Sequence, residues 1–185
     1  MTDTWRVIYS QPARGAWNMA VDEAIMESAG RGDTLPTLRL YAWEPACLSL
    51  GYAQSFSDVD IPRLKERAWD VVRRVTGGRA ILHIDELTYS ISGPTDETRF
   101  RGTILESYYR LAQGLIRAVH ALGLPVEMEE NAPPSNTPKG PVCFEVPSAY
   151  EIVIHGKKII GSAQSRKREG ILQHGTFPLH GDLSR

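Results

Sequence analysis

The sequence predicts an α+β domain in which a mixed, largely antiparallel sheet is flanked by helices. Residues 150–177 contain three β-rich runs separated by glycine-containing turns, a pattern typical of an antiparallel meander. Residues 104–122 instead place apolar side chains at helical spacing for about five turns, and Gly123 ends the pattern. At 185 residues the chain suits a single domain that holds both kinds of element around one core.

The composition argues against several classes of partner. Hydrophobic residues make up 42% of the chain and charged residues 23%, which is ordinary for a globular protein. Lys and Arg number 21 against 22 Asp and Glu, so the net charge of -1 gives no overall attraction to nucleic acid or to an anionic membrane. The chain has two cysteines, a polar amino-terminal segment and no apolar run near the roughly 20 residues that span a bilayer. We therefore expect a reduced, cytoplasmic protein with no nucleic-acid or membrane partner.

Three strands and a helix are predicted in the first third of the chain. An apolar run at residues 5–9 predicts a short edge strand, and Asn18 is suited to cap the helix that follows. Alternating side chains at residues 38–42 and an apolar run at 47–52 predict a further strand pair. Cys47 lies in this apolar run, which favours a buried small hydrophobe over a reactive thiol.

A short helix and three strands are predicted next. Asp60 is a good N-cap, and proline is tolerated in a first helical turn, so we expect a helix over residues 62–69. Residues 71–75, 80–84 and 87–91 are rich in β-formers and are bounded by turn signals, which predicts strands.

The tight loop between the first two of these strands is the first candidate for ligand binding. Adjacent Gly77 and Gly78 allow backbone N–H groups to converge on an anionic or carbonyl ligand, although a plain hairpin turn would use two glycines as well. Arg73, Arg74 and Arg79 favour a ligand, while arginines beside a loop are most often solvated. Both interpretations of the loop stay open at this point.

The middle strand of the meander is the second candidate. Gly156 supplies the positive φ that the preceding turn requires, and the strand then contains three small residues at 161–163. Small residues weaken a strand, and either the close approach of a ligand or a bulge at a crowded sheet crossing explains them. Lys158 at the mouth of the turn is placed to face an anion or a developing oxyanion, or else it is a solvated charge.

Cys143 is the third candidate. It follows residues 131–141, which hold four of the twelve prolines and predict either a substrate lid or an ordinary surface connection. A cysteine beside a basic meander can act as a nucleophile with a lowered pKa, although a buried inert thiol is the default. Zinc binding by Cys143 with His83 and His174 has little support, because the spacing contains no metal-ligand pair.

Four segments carry a resemblance to a known family: NMAVDEAIM at 18–26, RRVTGGRAILH at 73–83, KIIGSAQSR at 158–166 and LQHGT at 172–176. In this order they resemble the lipoate-protein ligase and octanoyltransferase superfamily, which shares its fold with biotin protein ligases. Cys143-Phe144, Pro147-Ser148 and Tyr150-Glu151 are similar to the branch that has a catalytic cysteine. The resemblance covers nearly the whole chain.

The resemblance implies an octanoyltransferase with Cys143 and Lys158 as catalytic residues. Cys143 would take octanoyl from acyl carrier protein as a thioester and pass it to a lysine of a lipoyl domain, such as that of the glycine cleavage H protein. Lys158 would hold or polarise the acyl carbonyl. The donor is already activated, so no cofactor and no metal are implied.

The resemblance also implies a substrate-binding pocket. The loop would form one side of this pocket and the meander the other. The residues on the loop side would be Arg74, Gly77, Gly78, Arg79 and His83. The residues that face them would be Ser162, Ala163, His174 and Gly175.

Two departures from the family pattern leave alternatives. Ligases that activate lipoate with ATP usually carry a third glycine where this chain has Arg79. ATP and Mg are therefore expected only if the chain is an ATP-dependent lipoate-protein ligase, and a non-catalytic acyl-binding subunit is a third possibility. Residues 1–185 are expected to form one biotin/lipoate ligase-like catalytic domain that lacks the C-terminal segment of the family.

Overall fold

A computed structural model of the chain describes residues 4–129 and 151–180. The helices of this part are α1 Gly15–Gly30, α2 Ile61–Glu66 and α3 Ile104–Ala121, with a 3-10 turn at Phe56–Asp58. Its strands are β1 Arg6–Tyr9, β2 Thr37–Tyr41, β3 Cys47–Leu50, β4 Asp70–Arg73, β5 Ile81–His83, β6 Glu86–Gly93, β7 Glu127–Met128, β8 Ile152–Ile154, β9 Lys157–Lys167 and β10 Gly170–Pro178. None of the helices in these two ranges combines the length and apolar character needed to cross a membrane.

The strands form two sheets. The larger has the order β1-β2-β6-β10-β9-β8-β7, and every pair in it is antiparallel except β1 with β2. The smaller has the order β4-β3-β5, with β3 parallel to β4 and antiparallel to β5. This mixed, largely antiparallel arrangement confirms the predicted fold class, and β1 is an edge strand as expected.

The large sheet buries two faces of opposite character. On one face, Tyr89, Ile91 and Ile171 belong to the apolar core together with Leu111 and Ile116 of α3. We call this the α3 face. Residues at the alternate positions, which point the other way, are mostly polar, and α1 and the small sheet cover them. We call this second face the cavity face.

The best-predicted elements are those that local sequence signals define. The meander forms from β8, β9 and β10, and Gly156 at its first turn has φ +70°. Helix α3 begins with a capping box between Thr103 and Glu106 and is followed by Gly123 at φ +84°. The Asp60 side chain accepts a hydrogen bond from the backbone N–H of Arg63, as predicted for the N-cap of α2.

Asn18 does not cap α1, so that prediction is wrong. The helix begins at Gly15, and Asn18 lies one turn inside it with no exposed surface. Its amide donates to the carbonyls of Ala13 at 3.1 Å and Ala42 at 3.0 Å. The residue is therefore used to tie α1 to the segment after β2.

The prediction that the strands at 38–42 and 47–52 pair with each other is also wrong. Strand β2 already has β1 on one edge and β6 on the other, so neither edge is open to β3. The chain instead crosses over after Tyr41, and β3 becomes the centre of the small sheet.

Candidate active site

A cavity lies between the cavity face of the large sheet and the small sheet. Its lining comes from both sheets and the loop after β4: Tyr41, Trp43, Arg74, Gly77, Gly78, Ile81, His83, Thr88, Gly161, Ser162, Ala163, His174, Gly175 and Thr176. All the predicted substrate-binding residues except Arg79 are among them. The loop at 76–79 and the meander thus meet across one space, as the sequence predicted.

Arg74 shapes the loop from behind. Its guanidinium donates to the carbonyl of Ser49 at 2.8 Å, of Gly77 at 3.0 Å and of Arg79 at 2.9 Å. Gly78 has φ +95°, a conformation that favours glycine. Arg79 contributes its carbonyl to this clamp and is not among the described lining residues. We therefore assign Arg74 mainly to holding the loop.

His83 forms part of one wall. Its Nδ1 lies 2.6 Å from Oε1 of Glu86, and its Nε2 lies 2.6 Å from the hydroxyl of Ser49. The imidazole stacks on Trp43 with ring centroids 4.0 Å apart and an interplanar angle of 11°. An acid, an imidazole and a serine in line resemble a hydrolase triad, but Ser49 is fully buried and also accepts a hydrogen bond from Arg74. The three residues therefore build the wall and offer no accessible nucleophile.

His174 ties the loop to the sheet. Its Nε2 lies 2.6 Å from the hydroxyl of Thr76, and its Nδ1 lies 3.6 Å from Oδ2 of Asp22. Burial lowers the pKa of His174 more than the neighbouring Asp22 carboxylate raises it. The imidazole is therefore neutral at neutral pH, and the Thr76 hydroxyl is fixed at the start of the loop.

Asp22 is the anchor of a buried polar network beneath the cavity. Its two oxygens accept hydrogen bonds from Arg39 at 2.8 Å, Ser90 at 2.7 Å and Tyr41 at 2.8 Å. Burial acts to raise the pKa of Asp22, but His174, Ser90 and Arg39 together hold it below its ordinary value. The ionised carboxylate therefore fixes side chains from α1, β2, β6 and β10 under one wall.

The small residues of β9, at positions 161–163, lie at a crowded crossing with β10 and also line the cavity. Opposite them, a Cβ on Gly175 would lie 2.4 Å from the carbonyl oxygen of Gly161 and 2.7 Å from Cε1 of Tyr89. The Ser162 hydroxyl lies 2.6 Å from the Tyr89 hydroxyl, on the α3 face. The crowded crossing is therefore present, whereas the close approach of a ligand stays a prediction, and the Ser162 side chain points away from the cavity.

A β-bulge reverses the expected direction of Lys158. Ile160 pairs with Ile152, whereas Lys158 pairs with Val153, so β9 holds one extra residue here. Paired residues share a face, and Ile152 and Val153 point to opposite faces. A regular strand would place Lys158 on the same face as Ser162, four residues further on, and the bulge makes that expectation wrong. Lys158 instead lies on the cavity face.

Lys158 is buried in an ion pair. Its Nζ lies 2.5 Å from Oε1 of Glu151, and the two side chains keep 4% and 5% of their surface exposed. Lys158 is not among the described lining residues and lies beyond Gly161 along the same strand. Cys143 lies outside the described residues.

Cys47 is an unreactive thiol. It has no exposed surface, and burial, aided by Asp70 and Glu86, raises its pKa to about 12. The prediction of a buried small hydrophobe is therefore confirmed. Residues 4–129 and 151–180 contain no group of three His, Cys, Asp or Glu side chains that could hold a metal ion.

Six lining residues were not predicted: Tyr41, Trp43, Ile81, Thr88, Gly161 and Thr176. Three of them were accessible to pattern reasoning. Gly161 and Thr176 directly adjoin predicted site residues, and Ile81 lies within the segment that carried the family resemblance. No local signal exists for the other three, Tyr41, Trp43 and Thr88, because strand neighbours that are distant in sequence bring them to the cavity.

A cavity between the two sheets of a mixed α+β domain, lined by most of the predicted substrate-binding residues, is the arrangement expected of a catalytic domain. Residues 14–185 match the lipoyl protein ligase A/B catalytic domain, and the chain belongs to this family. The family prediction is therefore confirmed.

Curated relatives lie close in sequence. The chain is 43% identical to octanoyltransferase LipM of Exiguobacterium sibiricum, over 98% of this chain and 68% of that protein. It is 44% identical to octanoyltransferase LipM of Kyrpidia tusciae, over 95% of this chain and 66% of that protein. The chain thus spans about two thirds of the length of these relatives.

Solved structures share the fold. A crystal structure of lipoate-protein ligase A bound with ATP matches 97% of this chain and 68% of its own, with a TM-score of 0.78 and 25% identity. A bi-partite lipoate protein ligase from Thermoplasma acidophilum, described with its E2 lipoyl domain, matches 96% of this chain and 62% of its own, with a TM-score of 0.74 and 25% identity.

Proposed function

We propose that this chain is the catalytic domain of an octanoyltransferase that works through a thioester on Cys143. The relatives at 43 and 44% identity are octanoyltransferases, which confirms the predicted activity and the predicted enzyme class. Octanoyl transfer serves lipoate biosynthesis. The thioester, the donor and the acceptor are part of the proposal.

The cavity itself is the observation that carries the proposal. Its described lining runs across β2, β6, β10 and β9, three interstrand spacings or about 14 Å, which accommodates an extended eight-carbon chain. Lys158 lies on the cavity face of β9, beyond Gly161 along the strand, so we place the acyl carbonyl at the β9 end of the cavity. The acyl tail then points toward Trp43 on the opposite side.

The reaction comprises two acyl transfers. In the first, the Cys143 thiolate attacks the carbonyl of octanoyl-acyl carrier protein, the bond to the carrier sulfur breaks, and the carrier thiolate leaves and takes up a proton. In the second, the ε-amine of a lipoyl-domain lysine attacks the new thioester, loses a proton and forms the amide, and the Cys143 thiolate is regenerated. Lys158 presents positive charge to the carbonyl oxygen in both steps. Neither step requires ATP, because a thioester is already activated.

The acceptor is a lipoyl domain, for example that of the glycine cleavage H protein. A solved neighbour is described with its E2 lipoyl domain, which supports an acceptor of this class. We expect the reaction in the cytoplasm, where a cysteine thiol stays reduced.

Mass spectrometry tests the proposal. The chain, incubated with octanoyl-acyl carrier protein and without ATP, should gain one octanoyl group that hydroxylamine removes. The gain should be absent in Cys143→Ser and unchanged in Cys47→Ala, since Cys47 is buried with a raised pKa. Acylation on Cys47, or transfer that occurs only with free lipoate and ATP, would restore the ligase interpretation.

A further inference from the structure

A single carboxylate oxygen orients two rings of the cavity wall. Oε1 of Glu86 lies 2.6 Å from Nδ1 of His83 and accepts a hydrogen bond from the Thr88 hydroxyl at 2.7 Å. The Thr88 oxygen in turn accepts from Nε1 of Trp43 at 2.7 Å. Burial acts to raise the pKa of Glu86, but His83 lowers it below its ordinary value, so the carboxylate is ionised and Nδ1 of His83 carries the donated hydrogen.

The second nitrogen of His83 is also satisfied behind the wall. Its Nε2 faces the Ser49 hydroxyl at 2.6 Å. The Ser49 hydroxyl accepts from Arg74 and also pairs with this nitrogen, as donor or as acceptor according to the His83 tautomer. Glu86 and Ser49 are not among the described lining residues, whereas His83 and Trp43 are. The stacked rings therefore present carbon atoms to the cavity.

We propose that Glu86 is a positioning residue that keeps the wall formed by Trp43 and His83 apolar toward the acyl chain. A buried N–H without a partner is costly, and it would recruit water or a polar group of the substrate. With Glu86 in place, the wall favours an unsubstituted alkyl chain and discourages water near the acyl group. This inference rests on the proposed function, because it takes the cavity to hold an acyl tail that reaches Trp43.

His174 shows the same arrangement on a different strand. Its nitrogens face Thr76 and Asp22, and neither of these is among the described lining residues. Two imidazoles in one cavity thus turn their polar edges toward buried partners. Because both histidines do so, polar residues can form a cavity wall that is apolar on the side that faces the cavity.

Binding of two free acids tests the role of Glu86. Octanoate and 8-hydroxyoctanoate differ only at the end of the chain that would meet the wall. Calorimetry on the full chain should give wild type and Glu86→Gln the same preference for octanoate, since the Gln oxygen can still accept both hydrogen bonds. In Glu86→Ala that preference should fall about tenfold, as expected when one buried N–H loses its partner. Asp85→Asn is the matched control on the neighbouring residue, because the Asp85 carboxylate lies 3.8 Å from Nε2 of His180.

The possible results distinguish a positioning role of Glu86 from a purely structural one. An unchanged preference in a folded Glu86→Ala, or weaker binding of both acids with the preference kept, would overturn the proposal. A Glu86→Gln variant as impaired as Glu86→Ala would also overturn it, because charge and not the accepting oxygen would then matter. If Glu86→Ala does not fold, Ser49→Ala frees the other nitrogen of His83. It should reduce the preference similarly, and a full preference there would reject the idea.

The binding experiment is independent of the chemistry at Cys143. A chain that binds octanoate selectively but forms no thioester would refute the proposed mechanism and leave the role of Glu86 intact. Conversely, thioester formation by the wild-type chain together with an unchanged preference in Glu86→Ala would support the proposed mechanism and refute the role of Glu86.

Discussion

Lys158 and Glu151 form an ion pair that is almost fully buried, with Nζ and Oε1 2.5 Å apart. The second oxygen of Glu151 is buried as well and has no hydrogen-bond partner among the residues that the structure describes. Charges removed from water in this way depend on each other, and deleting one partner of such a pair costs about 3–5 kcal/mol. The proposed catalytic role and the stability of the fold therefore depend on the same lysine, and experiments on it have to separate the two.

We expect Lys158→Ala to abolish octanoyl transfer and to destabilise the fold, whereas Lys157→Ala should do neither. Lys157 is exposed and lies on the other face of β9. Acyl-enzyme formation and thermal unfolding, measured on both variants, check this. Equal effects of the two substitutions would show that the register of β9 is wrong.

A double variant isolates the catalytic role of Lys158. Replacing a buried ion pair by apolar residues of similar volume is often neutral for stability. Glu151→Leu with Lys158→Met should therefore unfold near the wild-type temperature and still fail to transfer octanoyl. Recovery of transfer in this variant would exclude Lys158 from the chemistry.

The two loop glycines should differ in their tolerance of a side chain. Gly78 has φ +95°, so Gly78→Ala should lose about 1–2 kcal/mol of unfolding free energy through backbone strain. A Cβ on Gly77 meets nothing within 4 Å, and Gly77→Ala should stay within about 0.5 kcal/mol. Chemical denaturation of both variants measures the difference. Equal losses would mean that the positive φ of Gly78 does not limit the loop.

The crowded crossing of β9 and β10 predicts a cost for one added methyl. Gly175→Ala would place Cβ 2.4 Å from the carbonyl oxygen of Gly161, and such overpacking typically costs about 1–3 kcal/mol. Gly114→Ala in α3 is the control, because its Cβ meets nothing within 4 Å and alanine favours a helix by about 1 kcal/mol. A Gly175→Ala protein as stable as wild type would contradict this packing.

Stability should fall as the pH is lowered below about 6.5, the ordinary pKa of histidine. Burial lowers the pKa of His174, so the unfolded chain binds this proton more readily than the folded chain, and acid favours unfolding. His174→Gln should flatten the dependence between about pH 6.5 and 5, while His180→Gln, on an exposed residue, should not. Asp22, with its lowered pKa, contributes at lower pH, where its stabilisation is lost as its own carboxylate becomes protonated. Denaturation curves at several pH values test this, and an unchanged slope in His174→Gln would refute the assignment.

The sequence predicted the elements that local patterns define. Helix α3 and the meander followed from periodicity and from Gly123 and Gly156, each of which has positive φ. The loop at 76–79 and the meander also met across one cavity, because motif resemblance supplied the long-range pairing that periodicity lacks. These predictions needed only neighbours in sequence or a whole-family pattern.

Other features depend on contacts that no local pattern contains. Leu38 and Leu40 alternate with Arg39 and Tyr41, which normally indicates one buried and one solvated face. Here Arg39 is 1% exposed, since Asp22 from a distant helix neutralises it. The bulge that turns Lys158 to the cavity is likewise a single extra residue, and the composition of β9 gives no sign of it.

The carboxylate of Asp22 has a consequence for the order of assembly during synthesis. It joins α1, near the start of the chain, to β10, near residue 174, by way of β2 and β6. Contacts of such sequence separation form late, because the intervening chain must first be closed into a loop. Until β10 has left the ribosome, β6 lacks one of its two strand partners and the cavity lacks one wall. A nascent chain that ends before residue 170 should therefore bind no octanoate, however well its first helix and strands have formed.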